Sequence, residues 1–231
     1  MKAIFVTGTD TNTGKTVITG LLARYISEKN KRVVTQKWIE TGSRNGYSCD
    51  AGRHLKIMKK NRPYLEKYLP LIAPYVFRNA CSPHLSSRME NKKISAGKIK
   101  KSFKLLSGKF DFVIVEGTGG LLVPFDEKKL IVEIVKDLKL PVLVVAQNKL
   151  GTINHTLLTI EALKQRKIKI LGIVFNGSPD SQGIVIKDNP RIIKKFTNTE
   201  IFGTLPWSND DKKLDKSFSL IGNKIWKKIA K

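Results

Sequence analysis

The sequence predicts a single α/β domain in which helices cover both faces of a mostly parallel sheet. Short β-branched runs alternate with helical patterns along the whole chain, an alternation that is typical of right-handed βαβ units. Two of these runs, 111–116 and 141–146, are almost continuously apolar, as expected for strands that are buried on both faces of a parallel sheet. The length of 231 residues suits one such domain, and no repeat or change of composition divides it.

The first half of the chain opens with a predicted strand, a polar loop and a predicted helix. Residues 3–6 are apolar, and apolar residues then recur at helical spacing from 15 to 27. The predicted elements of this half are strand 3–6, helix 15–27, strand 32–36, helix 50–60, a short strand 75–77 in an otherwise irregular stretch marked by three prolines, and helix 95–106.

The second half continues the alternation of strands and helices. A strand at 111–116 is expected to end where the glycine-rich residues 117–120 interrupt it. The further predicted elements are helix 130–138, strand 141–146, helix 152–165, strand 168–175, a short helix 191–196, strand 201–205 and helix 214–230.

The chain is strongly basic. Lysine and arginine total 43 against 19 aspartate and glutamate, so the formal net charge is +24. Such a charge attracts polyanions even without a dedicated site. The lysines are nevertheless scattered over many predicted helices and turns, and no basic tract is interleaved with aromatic residues as a nucleic-acid platform requires. We therefore expect no nucleic-acid partner.

Cysteine spacing and the apolar runs indicate a cytoplasmic protein without a membrane partner. Cys49 and Cys81 have no C-x-x-C spacing, and no histidine pair stands at a metal-site interval, which suits a reducing compartment. The first residues run directly into a predicted strand, so a signal peptide is not expected. The longest apolar run, 141–146, is too short to span a bilayer.

The strongest motif joins the first predicted strand to the first predicted helix. It reads Gly8-Thr9-Asp10-Thr11-Asn12-Thr13-Gly14-Lys15-Thr16, followed by Val17. A loop in this position directs backbone N–H groups and a helix N-terminus at an anion, so it predicts a phosphate-binding loop and the P-loop NTPase fold. Lys15 would reach the β- and γ-phosphates of a nucleoside triphosphate, and the Thr16 hydroxyl would coordinate Mg²⁺. The loop departs from the strict pattern because Thr9 stands where the first glycine is usual.

Charged residues end two further predicted strands. Glu116 ends a buried strand, and Lys37 ends the second strand. Because the carboxyl ends of parallel strands form the ligand crevice of such sheets, both side chains are expected to face the phosphate loop. Glu116 could hold Mg²⁺, and the Lys37 ammonium would add positive charge where phosphoryl transfer develops negative charge. Asp50, taken alone, has the position of a helix N-cap.

Several motifs, in the same order along the chain, resemble those of the dethiobiotin synthetase family. The phosphate loop resembles its Gly-Thr-Asp-Thr-x-x-Gly-Lys-Thr, and residues 37–43 resemble its Lys-Pro-x-x-[Ser/Thr]-Gly-Ser. Asp50 stands where the family has a metal-binding aspartate. The other similar segments are Ser82-Pro83-His84, residues 115–120, residues 149–155, Asn176 and Leu205-Pro206-Trp207. Many other proteins share the phosphate loop alone, whereas this combination is specific.

The resemblance implies an ATP- and Mg²⁺-dependent cyclo-ligase of biotin biosynthesis that forms C–N bonds. One amine of 7,8-diaminononanoate takes up CO₂ to form a carbamate. The carbamate then attacks the γ-phosphate of ATP and gives a carbamic-phosphoric anhydride. The second amine closes the ureido ring and expels phosphate, so dethiobiotin, ADP and phosphate are the products.

The same resemblance assigns roles to individual residues. Lys37, Lys15 and Thr11 are the implied catalytic residues, and Thr16, Asp50 and Glu116 would hold Mg²⁺. The implied nucleotide-binding residues are Asp10, Thr11, Asn12, Thr13, Gly14, Lys15, Thr16, Val17, Asn176 and Pro206, with Asn176 reading the adenine edge. The implied substrate-binding residues are Thr41, Gly151, Thr152 and Asn154. The segment 151–154, at a helix start, would receive the substrate carboxylate across a homodimer interface.

Three residues depart from the family pattern. Asn12 and Thr13 stand where the family more often has Gly or Glu and then Val, which bears on the nucleotide pocket. Trp38 replaces the proline after the lysine, which bears on the position of the Lys37 strand end. None of the three removes a chemical group that the mechanism needs.

Three other functions share parts of this pattern. The partition and division-site ATPases, which are switches on DNA or membrane, carry a signature lysine where this chain has Asp10. The cobyrinic acid amide synthases need an attached glutaminase domain, for which this chain is too short. A basic nucleic-acid-binding module with a vestigial nucleotide site would instead show salt-dependent retention on DNA.

Overall fold

A computed structural model of the chain describes residues 2–59, 65–179 and 183–230. The strands described are β1 (Ala3–Gly8), β2 (Val33–Lys37), β3 (Ile39–Glu40), β4 (Tyr75–Val76), β5 (Phe112–Gly120), β6 (Val142–Gln147), β7 (Ile170–Asn176) and β8 (Ile201–Leu205). The helices described are α1 (Lys15–Ser27), α2 (Cys49–Ile57), α3 (Leu69–Ile72), α4 (Pro83–Met89), α5 (Ala96–Lys109), α6 (Ile131–Asp137), α7 (Thr152–Gln165), α8 (Gly183–Thr197) and α9 (Asp211–Ile229). A short 3-10 helix (Glu66–Tyr68) precedes α3.

The central sheet has six strands in the order β2-β5-β1-β6-β7-β8, and every adjacent pair is parallel. Strands β3 and β4 form a separate parallel pair. Parallel neighbours require crossover connections, which helices supply. The structure therefore confirms the predicted α/β class with a mostly parallel sheet.

Two apolar cores lie on opposite faces of the central sheet. In β1, Ile4 and Val6 belong to one core and Phe5 to the other, since successive side chains of a strand point to opposite faces. Apolar residues of α1 and α9 complete the core around Ile4, and those of α5, α6 and α7 complete the core around Phe5. Helices thus cover both faces of the sheet, as predicted.

Strand β5 is longer than predicted. Residues 117–120 continue the strand instead of ending it, and Gly120 pairs with Gly8 of β1. A Cβ atom at Gly117 would lie 2.8 Å from Cζ of Phe5. The glycine therefore allows close packing between neighbouring strands, which is a different role from breaking one.

Helices α3 and α4 lie in the stretch that was predicted to be irregular, and helix α8 is longer than predicted. Helix α4 begins at Pro83, because a proline in the first helical turn lacks only an N–H group that would have no helical partner. Helix α8 begins at Gly183 and contains Pro190, whereas the predicted helix began at 191. The neighbouring Asn189 is buried and donates to Asn148 Oδ1 at 2.9 Å, so tertiary contacts hold this turn in spite of the proline.

The other predicted elements are confirmed, with ends within a few residues of those expected. Helix α2 is described from Cys49 to Ile57, and the predicted last residue of that helix, Lys60, lies outside the described residues. Across the described ranges, no helix combines the length and the apolar character needed to cross a bilayer.

Substitution of Gly172 in β7 tests how closely β7 packs against β8 and the residue before it. A Cβ atom there would lie 2.7 Å from the Glu200 carbonyl oxygen. We expect Gly172→Ala to lower the free energy of unfolding by about 2 kcal/mol, because backbone must shift to admit the methyl group. Urea unfolding measures this change.

The matched control is Gly108→Ala in α5, where no neighbouring atom lies within 4 Å of the added Cβ. Alanine favours helix, so this change should be neutral or stabilise by up to about 1 kcal/mol. Equal unfolding midpoints for the two variants would contradict the close packing at Gly172.

Candidate active site

The carboxyl ends of β1, β2 and β5 meet at one edge of the central sheet. Lys37, the last residue of β2, is the register partner of Glu116 in β5, and Glu116 is also the partner of Val6 in β1. The parallel register therefore brings Lys37 and Glu116 side by side, next to the loop that follows β1.

The loop after β1 folds around one of its own carbonyl groups. Lys15 Nζ donates to the Asp10 carbonyl oxygen at 3.0 Å, and Thr13 Oγ1 donates to the same oxygen at 3.4 Å. Gly14 ends the loop with a φ of 93°, and a Cβ atom there would lie 2.2 Å from Asn176 Nδ2. Both the left-handed backbone and this close approach require glycine. Helix α1 begins directly afterwards, so the positive end of its dipole lies at the loop.

Lys37, Asp50, Glu116 and Thr16 form one connected cluster. The Lys37 ammonium lies 2.7 Å from Asp50 Oδ2 and 2.9 Å from Glu116 Oε1, and it donates to the Gly117 carbonyl oxygen at 2.9 Å. The Thr16 hydroxyl lies 3.0 Å from both Asp50 Oδ1 and Glu116 Oε1, and it can donate to one of them at a time. Four separate chain segments contribute one side chain each, so only the folded chain assembles this cluster.

Burial makes the charges of the cluster depend on one another. Burial alone would lower the pKa of Lys37, but Glu116 and Asp50 hold it above its ordinary value. Burial alone would raise the pKa of Glu116, but Lys37 and then His54 hold it below its ordinary value. Burial, together with repulsion from Lys37, lowers the pKa of Lys15 to about 8. The carboxylates thus keep Lys37 positive, whereas the Lys15 ammonium would be stabilised by an added anion.

A buried histidine contacts the cluster from α2. His54 is fully buried, and its Nε2 atom lies 2.7 Å from Glu116 Oε2. No motif in the sequence predicted a role for His54. The available signal was spacing: His54 follows Asp50 by four residues, which places both side chains on one face of a helix.

Glu40, which also had no role assigned from sequence, anchors the start of α2. Glu40 accepts hydrogen bonds from the Cys49 N–H group at 2.7 Å and from the Ser48 hydroxyl. Burial raises the pKa of Glu40, and the bond from Ser48 offsets part of this effect. Because Asp50 is the second residue of α2, this anchor helps to set the position of its carboxylate.

Trp38, which stands where the family has proline, ties down the end of β2. Its Nε1–H group donates to Gln36 Oε1 at 2.9 Å, and Gln36 Nε2 donates to the Leu71 carbonyl oxygen at 2.7 Å. The indole also packs against Phe5, with ring centroids 5.2 Å apart. Lys37 keeps its register with β5, so the tryptophan leaves the strand end in place.

A cavity of about 510 Å³ lies at this cluster. It is within the usual range of small-molecule sites, about 300–1,000 Å³. The predicted site residues that line it are Thr11, Asn12, Gly14, Lys15, Thr16, Val17, Lys37, Thr41, Asp50 and Glu116. The lining also includes Glu40, Gly42, Cys49, Thr118 and Gly119. The structure therefore brings most of the predicted phosphate, metal and catalytic groups to one place.

The remaining predicted nucleotide residues do not line this cavity. Asp10 is exposed, whereas Thr13 is buried within the loop. Asn176 ends β7 and approaches Gly14 closely. Pro206 lines a separate surface cavity that also contains Trp207.

The start of α7 is not part of the lining either. Gly151, with a φ of 86°, is the N-cap of α7, and Asn154 is exposed. Thr152 is buried, and its hydroxyl has no hydrogen-bond partner within the described part of the chain. A neighbouring cavity of about 300 Å³ is bordered by the partly exposed Leu122 and Leu158. Within one chain, these three substrate-binding candidates therefore do not line the cavity at the Lys37 cluster.

The cluster offers the oxygen donors that Mg²⁺ prefers. Proteins commonly hold Mg²⁺ through one or two carboxylates together with substrate phosphates. Thr16, Asp50 and Glu116 supply a hydroxyl and two carboxylates within hydrogen-bond distance. In the ranges that the structure describes, no group of three or more His, Cys, Asp or Glu side chains could hold a metal, so phosphate or water oxygens would complete the coordination. The Lys37 ammonium already lies against both carboxylates, and the residues present fit a cation.

Known proteins resemble this chain along most of its length. A sequence profile of the AAA domain matches residues 2–213. The ATP-dependent dethiobiotin synthetase BioD 2 of Haemophilus influenzae is 40% identical over 186 residues, which cover 80% of this chain and 96% of that protein. The ATP-dependent dethiobiotin synthetase BioD of Thermodesulfovibrio yellowstonii is 39% identical over 219 residues, which cover 90% of each chain. The chain belongs to the dethiobiotin synthetase family.

The fold itself extends beyond the dethiobiotin synthetase family. The cell division ATPase MinD of Pyrococcus furiosus aligns with 98% of this chain and 99% of its own length, with a TM-score of 0.61. The two sequences are only 17% identical, so this likeness shows the fold alone. Membership of the dethiobiotin synthetase family rests on the sequence relatives.

Lys37→Met tests whether the ammonium compensates the two carboxylates. Without Mg²⁺, we expect the variant to lose about 3–5 kcal/mol of unfolding free energy, because removing one partner of a buried ion pair leaves uncompensated charge. Added Mg²⁺ should raise the Tm of Lys37→Met more than that of the unchanged protein, since a second cation can replace the lost one. Thermal unfolding over a Mg²⁺ titration measures both effects.

The control for this variant is Lys101→Met, which removes an exposed lysine of α5. Its unfolding should respond to Mg²⁺ as the unchanged protein does. The same Mg²⁺-induced rise in Tm for all three proteins would contradict charge compensation by Lys37.

Proposed function

We propose that this chain catalyses the ATP-dependent formation of dethiobiotin from 7,8-diaminononanoate and CO₂, with release of ADP and phosphate. One observation carries the proposal: the Lys37 ammonium lies between Asp50 and Glu116, in the same cavity as the loop that follows β1. Phosphoryl transfer is catalysed chiefly by positioning and by charge of this kind. The choice of 7,8-diaminononanoate as the substrate is based on membership of the dethiobiotin synthetase family.

Three sets of bond changes make up the proposed reaction. A nitrogen of the diamine bonds to the carbon of CO₂ and loses a proton, which gives a carbamate. A carbamate oxygen bonds to the γ-phosphorus while the bond from that phosphorus to ADP breaks. The second amine nitrogen bonds to the carbamate carbon and loses a proton, and the C–O bond to phosphate breaks. No oxidant or reductant is consumed.

The two lysines of the cavity would stabilise negative charge on different parts of the reacting molecules. Lys15 would neutralise the β- and γ-phosphate oxygens, which is the role of a phosphate-loop lysine. Lys37, held positive by its carboxylate neighbours, would face the charge that develops on the carbamate and the transferring phosphoryl group. Thr16, Asp50 and Glu116 would hold Mg²⁺, which supplies further positive charge to the triphosphate oxygens when bound.

Two threonines would orient the reacting oxygens. Thr11 lines the cavity from the phosphate loop, and Thr41 follows β3. Hydroxyl donors from different chain segments can hold two reactants in a fixed relative orientation. We assign Thr11 to the phosphoryl oxygens and Thr41 to the carbamate oxygens.

The nucleotide would lie along the loop residues Asp10, Thr11, Asn12, Thr13, Gly14, Lys15, Thr16 and Val17. We propose that Asn176 hydrogen-bonds the adenine edge and that Pro206 contacts the base. This placement is supported by the close approach of Asn176 to Gly14. It is also supported by the bond of 2.7 Å from the Gly177 N–H group to the Leu205 carbonyl oxygen, which links the Asn176 and Pro206 segments.

We further propose that the chain acts as a homodimer, with residues 1–231 of each subunit forming one domain. Gly151, Thr152 and Asn154 of one subunit would receive the substrate carboxylate bound at the partner's cavity. The N-terminus of a helix favours an anion, and these residues begin α7. Nearby partly exposed leucines provide apolar surface of the kind that interfaces bury.

We propose a cytoplasmic location, which suits the two free cysteines.

The direct test is phosphate release from ATP with Mg²⁺ and bicarbonate, measured with and without 7,8-diaminononanoate. We expect release to depend on the diamine and mass spectrometry to detect a ureido product. Lys37→Ala should still bind nucleotide but should lower the diamine-dependent rate by about 10²–10³-fold, because it removes a charge-stabilising donor.

The control Lys101→Ala removes an exposed lysine far from the loop in sequence and should keep the full rate. An equal rate of phosphate release with and without the diamine would refute the proposal. In that case, stimulation by duplex DNA or by anionic vesicles would distinguish the two kinds of switch ATPase.

A mixing experiment tests the shared site. Lys37→Ala and Asn154→Asp should each be impaired, the second because it places a negative charge beside the substrate carboxylate. After random subunit exchange, half of the dimers are mixed and each has one intact site, so about one quarter of the unchanged activity should return. Activity equal to the sum of the two separate variants would show that each site lies within one chain.

A further inference from the structure

The two oxygens of Glu116 have different partners. Its Oε1 atom lies 3.0 Å from the Thr16 hydroxyl and 2.9 Å from the Lys37 ammonium, on the cavity side. Its Oε2 atom lies 2.7 Å from Nε2 of His54. One oxygen therefore belongs to the proposed cation site, and the other is held from within the protein.

The direction of the His54 hydrogen bond follows from its partner. An ionised carboxylate only accepts hydrogen bonds, so Nε2 of His54 must carry the proton and donate. The other ring nitrogen, Nδ1, is buried and has no hydrogen-bond partner in the described residues. An unpartnered buried nitrogen destabilises a core, and an apolar side chain would avoid it. Packing alone therefore does not account for an imidazole at this position, whereas the contact with Glu116 does.

Helix α2 links this contact to the second carboxylate. Asp50 and His54 are four residues apart on α2, and both face the cluster around Lys37. The N-terminus of the same helix is anchored by Glu40. One rigid element thus presents Asp50 directly and holds Glu116 through His54.

We propose that His54 is a positioning residue for the metal ligand Glu116, and that its Nε2–H group holds Oε2 so that Oε1, the oxygen beside Thr16 and Lys37, is directed at Mg²⁺. Mg²⁺ requires near-octahedral coordination. A carboxylate free to turn could present either oxygen, whereas the hydrogen bond from His54 to Oε2 fixes the orientation in which Oε1 lies beside Thr16. Outer hydrogen bonds of this type orient metal ligands and affect metal affinity by about 10–100-fold. The inference depends on the proposed function only in taking Glu116 as a Mg²⁺ ligand.

The test measures metal binding without turnover. Mn²⁺ serves as the probe, and electron paramagnetic resonance measures its free concentration over protein that is saturated with β,γ-methylene-ATP and lacks the diamine. His54→Leu should weaken Mn²⁺ binding by about 10–100-fold. His54→Gln, whose amide N–H can replace Nε2–H, should restore most of that affinity.

Two controls separate positioning from packing. Leu55→Ala removes buried apolar atoms from the same helix and should lower the Tm while leaving Mn²⁺ affinity unchanged. If His54→Leu does not fold, His54→Asn replaces it, because the shorter amide cannot reach Glu116. Unchanged Mn²⁺ affinity in His54→Leu or His54→Asn, equal weakening in His54→Gln, or equal weakening in Leu55→Ala would overturn the proposal.

This result is independent of the reaction itself. Weakened Mn²⁺ binding in His54→Leu, together with an unchanged protein that makes no dethiobiotin, would support the positioning role and refute the proposed function. Normal dethiobiotin formation by the unchanged protein, together with unaltered Mn²⁺ binding in His54→Leu, would support the proposed function and refute the positioning role.

Discussion

A buried ammonium held between two carboxylates is the constraint on which the rest of this structure depends. The Lys37 side chain is only 4% exposed, and its nitrogen lies within 3 Å of both Asp50 and Glu116. Removing such charges from water costs several kcal/mol each, and their attraction offsets this cost only when the geometry is good. The β2–β5 register and the position of α2 supply that geometry. The β2–β5 register and the position of α2 must therefore both be correct for Lys37, Asp50 and Glu116 to come together.

Buried ion pairs are not a general means of stabilising a fold. Replacing a buried ion pair by packed apolar groups often leaves stability unchanged or raises it. This chain instead surrounds the cluster with supports: Trp38 bonds to Gln36 at the end of β2, Glu40 anchors α2, and His54 bonds to Glu116. Supported groups with strongly shifted pKa values, gathered in a cavity, are characteristic of a functional site. The cluster is thus better explained by catalysis than by stability.

Most of the fold was predictable because each parallel strand carries a local signal, a short apolar run. The errors came from glycines and prolines whose role depends on tertiary contacts, as at Gly117 beside Phe5 and at Pro190 within α8. The phosphate loop, Lys37 and Glu116 could be predicted because their positions follow from strand ends. The contact of His54 with Glu116 could not, since His54 lies within a helix rather than at a strand end, and its spacing from Asp50 indicates only a shared helix face.

The local charge of the cavity supports the proposed role of Mg²⁺ in nucleotide binding. The chain carries a formal net charge of +24, yet the cavity lining contains only two ammonium groups, Lys15 and Lys37, against three carboxyl groups, Glu40, Asp50 and Glu116. Surface lysines beyond about 8 Å are screened at physiological ionic strength, so they speed the approach of a triphosphate without stabilising it once bound. A highly anionic ligand facing more carboxyl groups than ammonium groups needs a further cation. The overall basicity of the chain therefore does not explain its proposed use of ATP, whereas the carboxylates that would hold Mg²⁺ do.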